Sequence, residues 1–312
     1  MSAPLTALPA STLSFLAPYL PPPPSSISSS SSTSVFVTLT YASSLDSRIA
    51  AGQGQRTALS GPESKSMTHY LRAHHAAILV GGTTVRVDDP ALNCRYPVAV
   101  PAPHRGFLGF GGGEDPEATK AAEKANMAAQ SPRPVILDPN FGCGLTPSSR
   151  VMQVAQNGEG KAPWILVSAK RASAFTDSEQ ACVATLEAAG AEIIPVPDLL
   201  GSEADADDEH DAWNASWEAV LTVFRHRGIP SVMVEGGARV ITSMLCAAVH
   251  DPERGLVTSP VCAVVLTVAP VYLGKDGVEV APARAVDRLM SVRWTQLGRD
   301  AVLAALSDRF SV

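Results

Sequence analysis

Ser231-Val232-Met233-Val234-Glu235-Gly236-Gly237-Ala238-Arg239-Val240 is the stretch on which the reading of this chain turns. Three apolar residues closed by a carboxylate make a short buried strand, and the chain continues as a helix from Ala238 to about Ala248. Two glycines are the whole connection. A strand that enters a helix through Gly-Gly lets a ligand approach the backbone, and the helix start offers free N–H groups and a positive dipole. A phosphate or pyrophosphate suits such a turn, with Arg239 adding a charged donor. The pattern is neither GxGxxG nor a Walker A loop, so on spacing alone a plain tight turn is an equal reading. Glu235 closes the strand at the end where open parallel sheets bind their ligands, which tilts its reading toward function.

Outward from that unit, strands and helical segments alternate. Strands are predicted at Val35–Tyr41, Ala77–Val80 (ending in Gly81-Gly82), Pro134–Asp138, Trp164–Ser168, Glu192–Val196 and Val261–Val268. Ser60-Gly61-Pro62-Glu63 carries a capping-box signature, with Ser60 as N-cap, Pro62 in the first turn and Glu63 reaching back. The helix it opens puts Met67, Tyr70 and Leu71 on one face and runs to about His75. Further helices span Ser178–Ala189, closed by Gly190, and about Trp213–Arg227, ending at Gly228. Val292–Leu297 and Ala301–Leu306, split by Gly298-Arg299-Asp300, form a terminal hairpin, with a helix as the rival for the second half. The alternation predicts an α/β fold, a mostly parallel central sheet flanked by helices with a C-terminal antiparallel hairpin.

The chain has 312 residues, enough for one large α/β domain with appendages. Hydrophobic residues are 46% and charged residues 17%, so there is material for a core and the chain as a whole is not disordered. A net charge of −6 argues against a protein that binds by neutralising nucleic-acid phosphates. No apolar run is long enough for a membrane span. Five dispersed cysteines without a CxxC pair suit a reducing cytosol, and no Lys or Arg precedes Arg48, so the expected address is the cytoplasm.

Domain boundaries follow from composition. Residues 1–34 read as a flexible extension: a short helix within Ser11–Ala17 packing Leu13, Leu16 and Leu20 on the body, then a Pro/Ser-rich tether. Residues 35–312 form the main domain, with insertions at about 101–131 and 201–211. The first insertion, including the Ala/Lys/Glu-rich run Glu117–Gln130, is expected as a surface excursion. Glu203–Asp211 holds six acidic residues, equal to the whole net charge, and reads as a solvated loop.

A second candidate site is Gly81-Gly82-Thr83-Thr84-Val85-Arg86-Val87-Asp88-Asp89-Pro90, which also leaves the carboxyl end of a strand. It offers hydroxyls, a carboxylate pair and flexible glycines together. Its plainer reading is a turn in which Asp88 or Asp89 bonds nearby backbone. Residues 46–105 carry seven basic against four acidic side chains, and within them Arg72 and Arg95 could clamp a small phosphate through the guanidinium fork. His74 and His75 are adjacent and cannot share one ion, and HExxH, HxE with PCxxC, and a nucleophile elbow are all missing, so neither metal nor Ser/His/Asp catalysis is expected.

Several separate motifs, in order, then resemble the riboflavin-pathway reductases, in particular their stand-alone fungal form. They are Val37–Asp46, Leu59–Glu63, Met67–Arg72, Ile78–Asn93, Val232–Ala238 and Ala269–Gly274, spanning about residues 35–306. The resemblance implies a dihydrofolate reductase-like fold, usually a homodimer, and NADPH-dependent (or NADH-dependent) reduction of the ribosylamino side chain of a phosphorylated pyrimidine to ribitylamino. By that resemblance Thr84 and Asp88 contact the cofactor and Gly236, Gly237, Ala238, Arg239 and Val240 cradle its phosphates. Arg72 and Arg95 become substrate ligands at the 5′-phosphate end. Glu235 becomes the carboxylate beside the reacting centre, and Asp46 a weaker catalytic candidate whose turn can equally be structural.

Two departures are visible. Bacterial relatives commonly carry a lysine where Thr40 stands, so a lysine-assisted mechanism does not carry over. They are also often fused to a zinc deaminase domain that has no counterpart here. The rival functions are a pterin reductase of the same fold, which would have no use for Arg72 and Arg95, and a nucleotide-binding protein without activity.

Overall fold

The computed structural model describes residues 5–23, 34–97, 124–197, 199, 209–251, 255–282 and 289–307. The elements are α1 (Ala10–Leu16), β1 (Phe36–Ser43), β2 (Arg48–Ala50), α2 (Pro62–Ala73), β3 (Ala77–Gly81), α3 (Gly82–Asp88), α4 (124–130), β4 (Arg133–Leu137), α5 (Arg150–Gln156), β5 (Trp164–Ser168), α6 (Ala169–Ala172), α7 (Asp177–Ala188), β6 (Glu192–Val196), α8 (Glu209–His226), β7 (Ser231–Gly236), α9 (Ala238–Cys246), β8 (Val249–Asp251), β9 (Leu256–Thr258), β10 (Ala263–Val268), β11 (Val278–Glu279), β12 (Met290–Leu297) and β13 (Asp300–Leu306).

The central sheet runs β12-β13-β10-β1-β7-β3-β4-β5-β6. From β10 to β6 every neighbouring pair is parallel, while β13 and β12 add an antiparallel hairpin at one edge. This is the expected architecture, hairpin included. From β3 to β6 the strands are near-continuous apolar runs, with helices packed on both faces. Ile78 and Val80 pack in one cluster with Val85 of α3, Met152 of α5 and Leu186 of α7. Their alternates Ala77 and Leu79 pack in the other with Trp217 and Phe224 of α8 and Met244 of α9.

The helix foreseen near the amino terminus is present as α1. Leu16 is fully buried, and Phe15 and Tyr19, which periodicity did not single out, are buried with it. Burial of a side chain of that size contributes roughly 2 kcal/mol. The Tyr19 hydroxyl also donates to the Ser291 carbonyl at 2.6 Å, which seats the segment on β12. The tether from Pro24 through the serine run lies outside the described residues, as do 101–123 and Glu203–Asp208.

Three local readings need correction. Ser60 does not cap α2: the N-cap is Gly61, with Pro62 in the first turn and no side-chain cap from within the segment. Asp300 of the distant hairpin takes that role, accepting from the Gly61 N–H at 2.7 Å and the Ser64 hydroxyl at 2.6 Å. The stretch after Gly81 is a helix, α3, rather than a turn. Its β-branched residues disfavour helix locally, but burial of Val85 outweighs that weak preference. The end of the first insertion is a surface helix, α4, none of whose residues is buried, tied to the body where the Ser131 hydroxyl joins the Met127 carbonyl to the Cys94 N–H. Finally, residues 209–211 of the acidic run belong to α8, which starts earlier than the pattern suggested.

Candidate active site

Three strand ends converge where β7 meets α9. Val234 pairs with Leu79 and Gly236 with Val80, so Glu235 is the extra residue of a β-bulge. A bulge re-aims the side chain it carries. Gly236 then takes φ +122° and Gly237 φ +43°, backbone states that glycine reaches at little cost. Space is as restrictive as φ here: a Cβ on Gly237 would sit 3.1 Å from Thr84 Oγ1, and one on Gly81 would meet Val240 at 3.1 Å. The turn therefore lies bare against α3. Ala238 is half-buried and Arg239 exposed on the first turn of α9, while Val240 is a core residue whose main chain alone can face a ligand. These groups fit a cofactor phosphate, because two residues without side chains lead into the amino end of a nine-residue helix and leave its first N–H groups unscreened.

Glu235 does not stand alone. Arg72 comes off the buried face of α2 and donates through Nε to Oε1 and through Nη2 to Oε2, both at 2.6 Å. The two side chains are only 12% and 15% exposed. The third donor, Nη1, reaches the Asn93 carbonyl at 2.9 Å and so ties the loop after α3 to the same pair. Burial works against the Arg72 charge, but the adjoining Glu235 carboxylate outweighs it and holds the guanidinium pKa above its usual value. The fork–fork geometry fixes the carboxylate in orientation as well as charge.

Arg95 lies on that loop, two residues beyond Asn93, and is exposed. Its main-chain N–H donates to His69 Nδ1 at 3.0 Å, and its Nη2 lies 3.3 Å from His69 Nε2. Burial lowers the Arg95 pKa, and repulsion from Arg72 and Arg150 adds to the effect. Three guanidiniums thus share one field. His69 itself is pushed down to about 2, first by burial and then by Arg72 and Arg95, so the ring is neutral.

The remaining candidates separate. Asp88 ends α3 with Arg56 Nε 3.9 Å away, and burial raises its carboxyl against that pull. The oxygen nearest Arg56, Oδ1, is buried without a hydrogen-bond partner. Asp46 is occupied within its own turn: the Ser44 hydroxyl and the Leu273 and Gly274 N–H groups all donate to it. Those bonds, the Ser44 one foremost, lower its pKa to about 2. The structure thus joins Arg72, Glu235 and Arg95 in one cluster and Thr84 with Gly236–Val240 in another, and gives Asp46 the part of a clasp between two loops.

His69, Asn93 and Arg150 were not singled out from the sequence. His69 had a detectable signal, since it precedes Arg72 by three on a helix and must share its face. Asn93 acts through its carbonyl, which no residue type announces. A cleft of about 1190 Å³ near Leu20, Phe36, His75 and Ile229 lies at the opposite, amino ends of the strands.

Residues 35–303 match the RibD C-terminal domain family. The chain is 35% identical over 301 residues to the Debaryomyces hansenii 2,5-diamino-6-ribosylamino-4(3H)-pyrimidinone 5′-phosphate reductase, covering 96% of this chain and 98% of that one. It is 32% identical over 271 residues to the Saccharomyces cerevisiae protein of the same name, covering 86% of each. Among solved structures, the Saccharomyces riboflavin biosynthesis reductase superposes with a TM-score of 0.61 at 26% identity, over 95% of this chain and 99% of that one. The RibD protein of Acinetobacter baumannii shares the fold at a TM-score of 0.54 and 19% identity, over 88% of this chain and 59% of that one.

Proposed function

The chain belongs to the RibD C-terminal domain family, and we propose NADPH as its reductant and the 5′-phosphate of 2,5-diamino-6-ribosylamino-4(3H)-pyrimidinone as its substrate's anchor. It is a reductase of riboflavin biosynthesis, turning a ribosylamino side chain into ribitylamino on a phosphorylated pyrimidine. The observation that carries the reading is the adjacency of two features on β7: a bulged Glu235 clamped by Arg72, and directly after it a glycine turn at positive φ, tight against Thr84.

Gly236, Gly237 and the first N–H groups of α9 would hold the cofactor phosphates, with Thr84 and Asp88 beside them on α3. A nicotinamide bound there supplies a hydride. On the substrate, the ring-opened pentose presents C1′ as an imine carbon, and gain of hydride at C1′ with a proton at nitrogen gives the amine. The chain's own residues set this up. Glu235 places a fixed negative charge beside the cationic imine and accepts from the sugar hydroxyls, which orients C1′. Arg72 keeps that carboxylate from rotating, and Arg95, exposed at the rim, takes the phosphate.

Two finer features belong to the same reading. The protein is a homodimer: Tyr41, Leu266, Leu303 and Trp294 share one sheet face across β1, β10, β13 and β12, and Trp294 is 59% exposed. A sheet of this kind buries both faces, and a second copy supplies the cover. The address is the cytoplasm, supported by five dispersed cysteines with no CxxC pair in the sequence. Among the described residues no helix is long and apolar enough to cross a membrane.

The deciding assay follows NADPH absorbance with the ribosylaminopyrimidine phosphate and, separately, with dihydrofolate. Oxidation with the first alone is expected. Oxidation with dihydrofolate alone makes the protein a pterin reductase, and none with either makes it a binding protein.

A further inference from the structure

His69 precedes Arg72 by three on α2 and shares its face. His69 is 6% exposed, and its ring is placed against Arg95 at both ends. Nδ1 accepts the Arg95 main-chain N–H at 3.0 Å, and Nε2 lies 3.3 Å from the guanidinium Nη2. The His69 carbonyl adds a third tie by accepting from the Cys94 thiol at 3.2 Å. Cys94 is held from its other side by the Ser131 hydroxyl, and Asn93 by Arg72. Every residue of Asn93-Cys94-Arg95 is thereby fastened to α2 or to the body, and Arg95 is fastened by His69.

We propose that His69 is a positioning residue: through Nδ1 it holds the main chain of Arg95, so that the fork projects toward the substrate's 5′-phosphate without the loop first being ordered. The inference rests on the reading of Arg95 as the phosphate ligand. Its physical basis is preorganisation. A loop that carries an arginine to an anion loses freedom when the anion binds, and a contact that restrains its main chain beforehand removes part of that loss. The residue that restrains it has to be polar at one edge, to accept the part-buried Arg95 N–H, and uncharged, because Arg72 and Arg95 flank it. A lysine or arginine would drive Arg95 away, and an aliphatic side chain would strand the N–H. A neutral imidazole meets both conditions, and burial between two guanidiniums keeps it neutral.

The test compares wild type, His69→Phe, His69→Gln, Arg95→Ala and His69→Phe/Arg95→Ala, with KM and kcat measured on the phosphorylated substrate and on its dephosphorylated nucleoside. His69→Phe keeps the ring's bulk but removes its acceptor. It is expected to raise KM for the phosphorylated substrate about tenfold, with a far smaller change in kcat and in KM for the nucleoside. His69→Gln restores an acceptor and should recover most of that loss. In the Arg95→Ala background the His69 change should add almost nothing, as expected for residues acting through one contact. If Arg95→Ala raises KM for the phosphorylated substrate but neither His69 variant does, the positioning role is overturned while the phosphate site stands. If His69→Phe weakens both substrates equally, or adds fully to Arg95→Ala, His69 is merely structural. If Arg95→Ala leaves KM unchanged, the phosphate reading and this inference fall together.

Discussion

Arg72 and Glu235 stand 163 residues apart in the chain and meet through two hydrogen bonds of 2.6 Å each. One comes from the last turn of a helix, the other from the bulge at the end of a strand, and neither side chain has a way to turn without breaking both bonds. Pairs of this kind are costly to break from one side, because the partner is left as an unmatched charge in a poorly hydrated place.

Substitution at Glu235 should therefore separate chemistry from binding. Glu235→Gln keeps the shape and removes the charge. Turnover is expected to fall by roughly 10²-fold, while cofactor affinity changes little. Steady-state kinetics beside a fluorescence titration of NADPH will tell, and equal losses in both would make Glu235 a structural residue. Arg72→Lys, which cannot reproduce the fork, should lose activity in parallel.

Gly237 offers the corresponding test of the cofactor turn. Alanine there meets a left-handed backbone angle and a contact 3.1 Å from Thr84 Oγ1. The conformational cost alone is about 1–2 kcal/mol. NADPH should bind roughly tenfold more weakly by calorimetry. An undiminished affinity would move the phosphates away from this turn.

Asp300 acts on stability. It is fully buried and serves as the cap that α2 lacks locally. Asp300→Ala removes the acceptor from the Gly61 N–H and the Ser64 hydroxyl at once, a loss of about 3 kcal/mol. Thermal unfolding should shift down by roughly 5 °C. Because α2 carries Arg72 and His69, KM should rise as well. A variant that melts like wild type would show that the cap is dispensable.

The two buried histidines set an acid limit. His69 is lowered to about 2 and His75 to about 4, in both cases mainly by burial, against an ordinary 6.5. A lowered folded pKa means that the unfolded chain takes up the proton first. The stability these neutral rings contribute is whole above about pH 6.5 and is lost as pH falls toward the folded values. For each ring the slope in that window is at most about 1.4 kcal/mol per pH unit. Urea midpoints measured from pH 6.5 down to 4.5 should decline, and His75→Gln should flatten the decline. Parallel curves for the two proteins would contradict the assignment.

The exposed edge of the sheet predicts assembly. Trp294→Lys puts a charge into the apolar row formed with Leu303, Leu266 and Tyr41. Light scattering should show a dimer for the wild-type protein and a monomer for the variant. A wild-type monomer would remove the second copy from the reading.

Legibility followed the range of the interaction. The order of strands and helices, both strand–Gly-Gly turns and the C-terminal hairpin were readable because period and glycine content act between neighbours. The same local view failed at Ser60, where a good capping sequence lost to a carboxylate 239 residues from Gly61. It failed again at α3, where packing of Val85 against the sheet overrode the helix-averse threonines and valines.

From the amino-acid order alone came the fold class, the glycine turn and the identity of Glu235, Arg72 and Arg95 as the charged groups to watch. Folding alone determined that Glu235 would be the bulged residue, that Arg72 would grip it rather than stand apart, and that His69 would hold Arg95. Those outcomes depend on the register between β7 and β3 and on where α2 lies across the sheet. Register and helix placement are settled by burying apolar surface over the whole domain, a sum to which no short stretch of chain holds the answer.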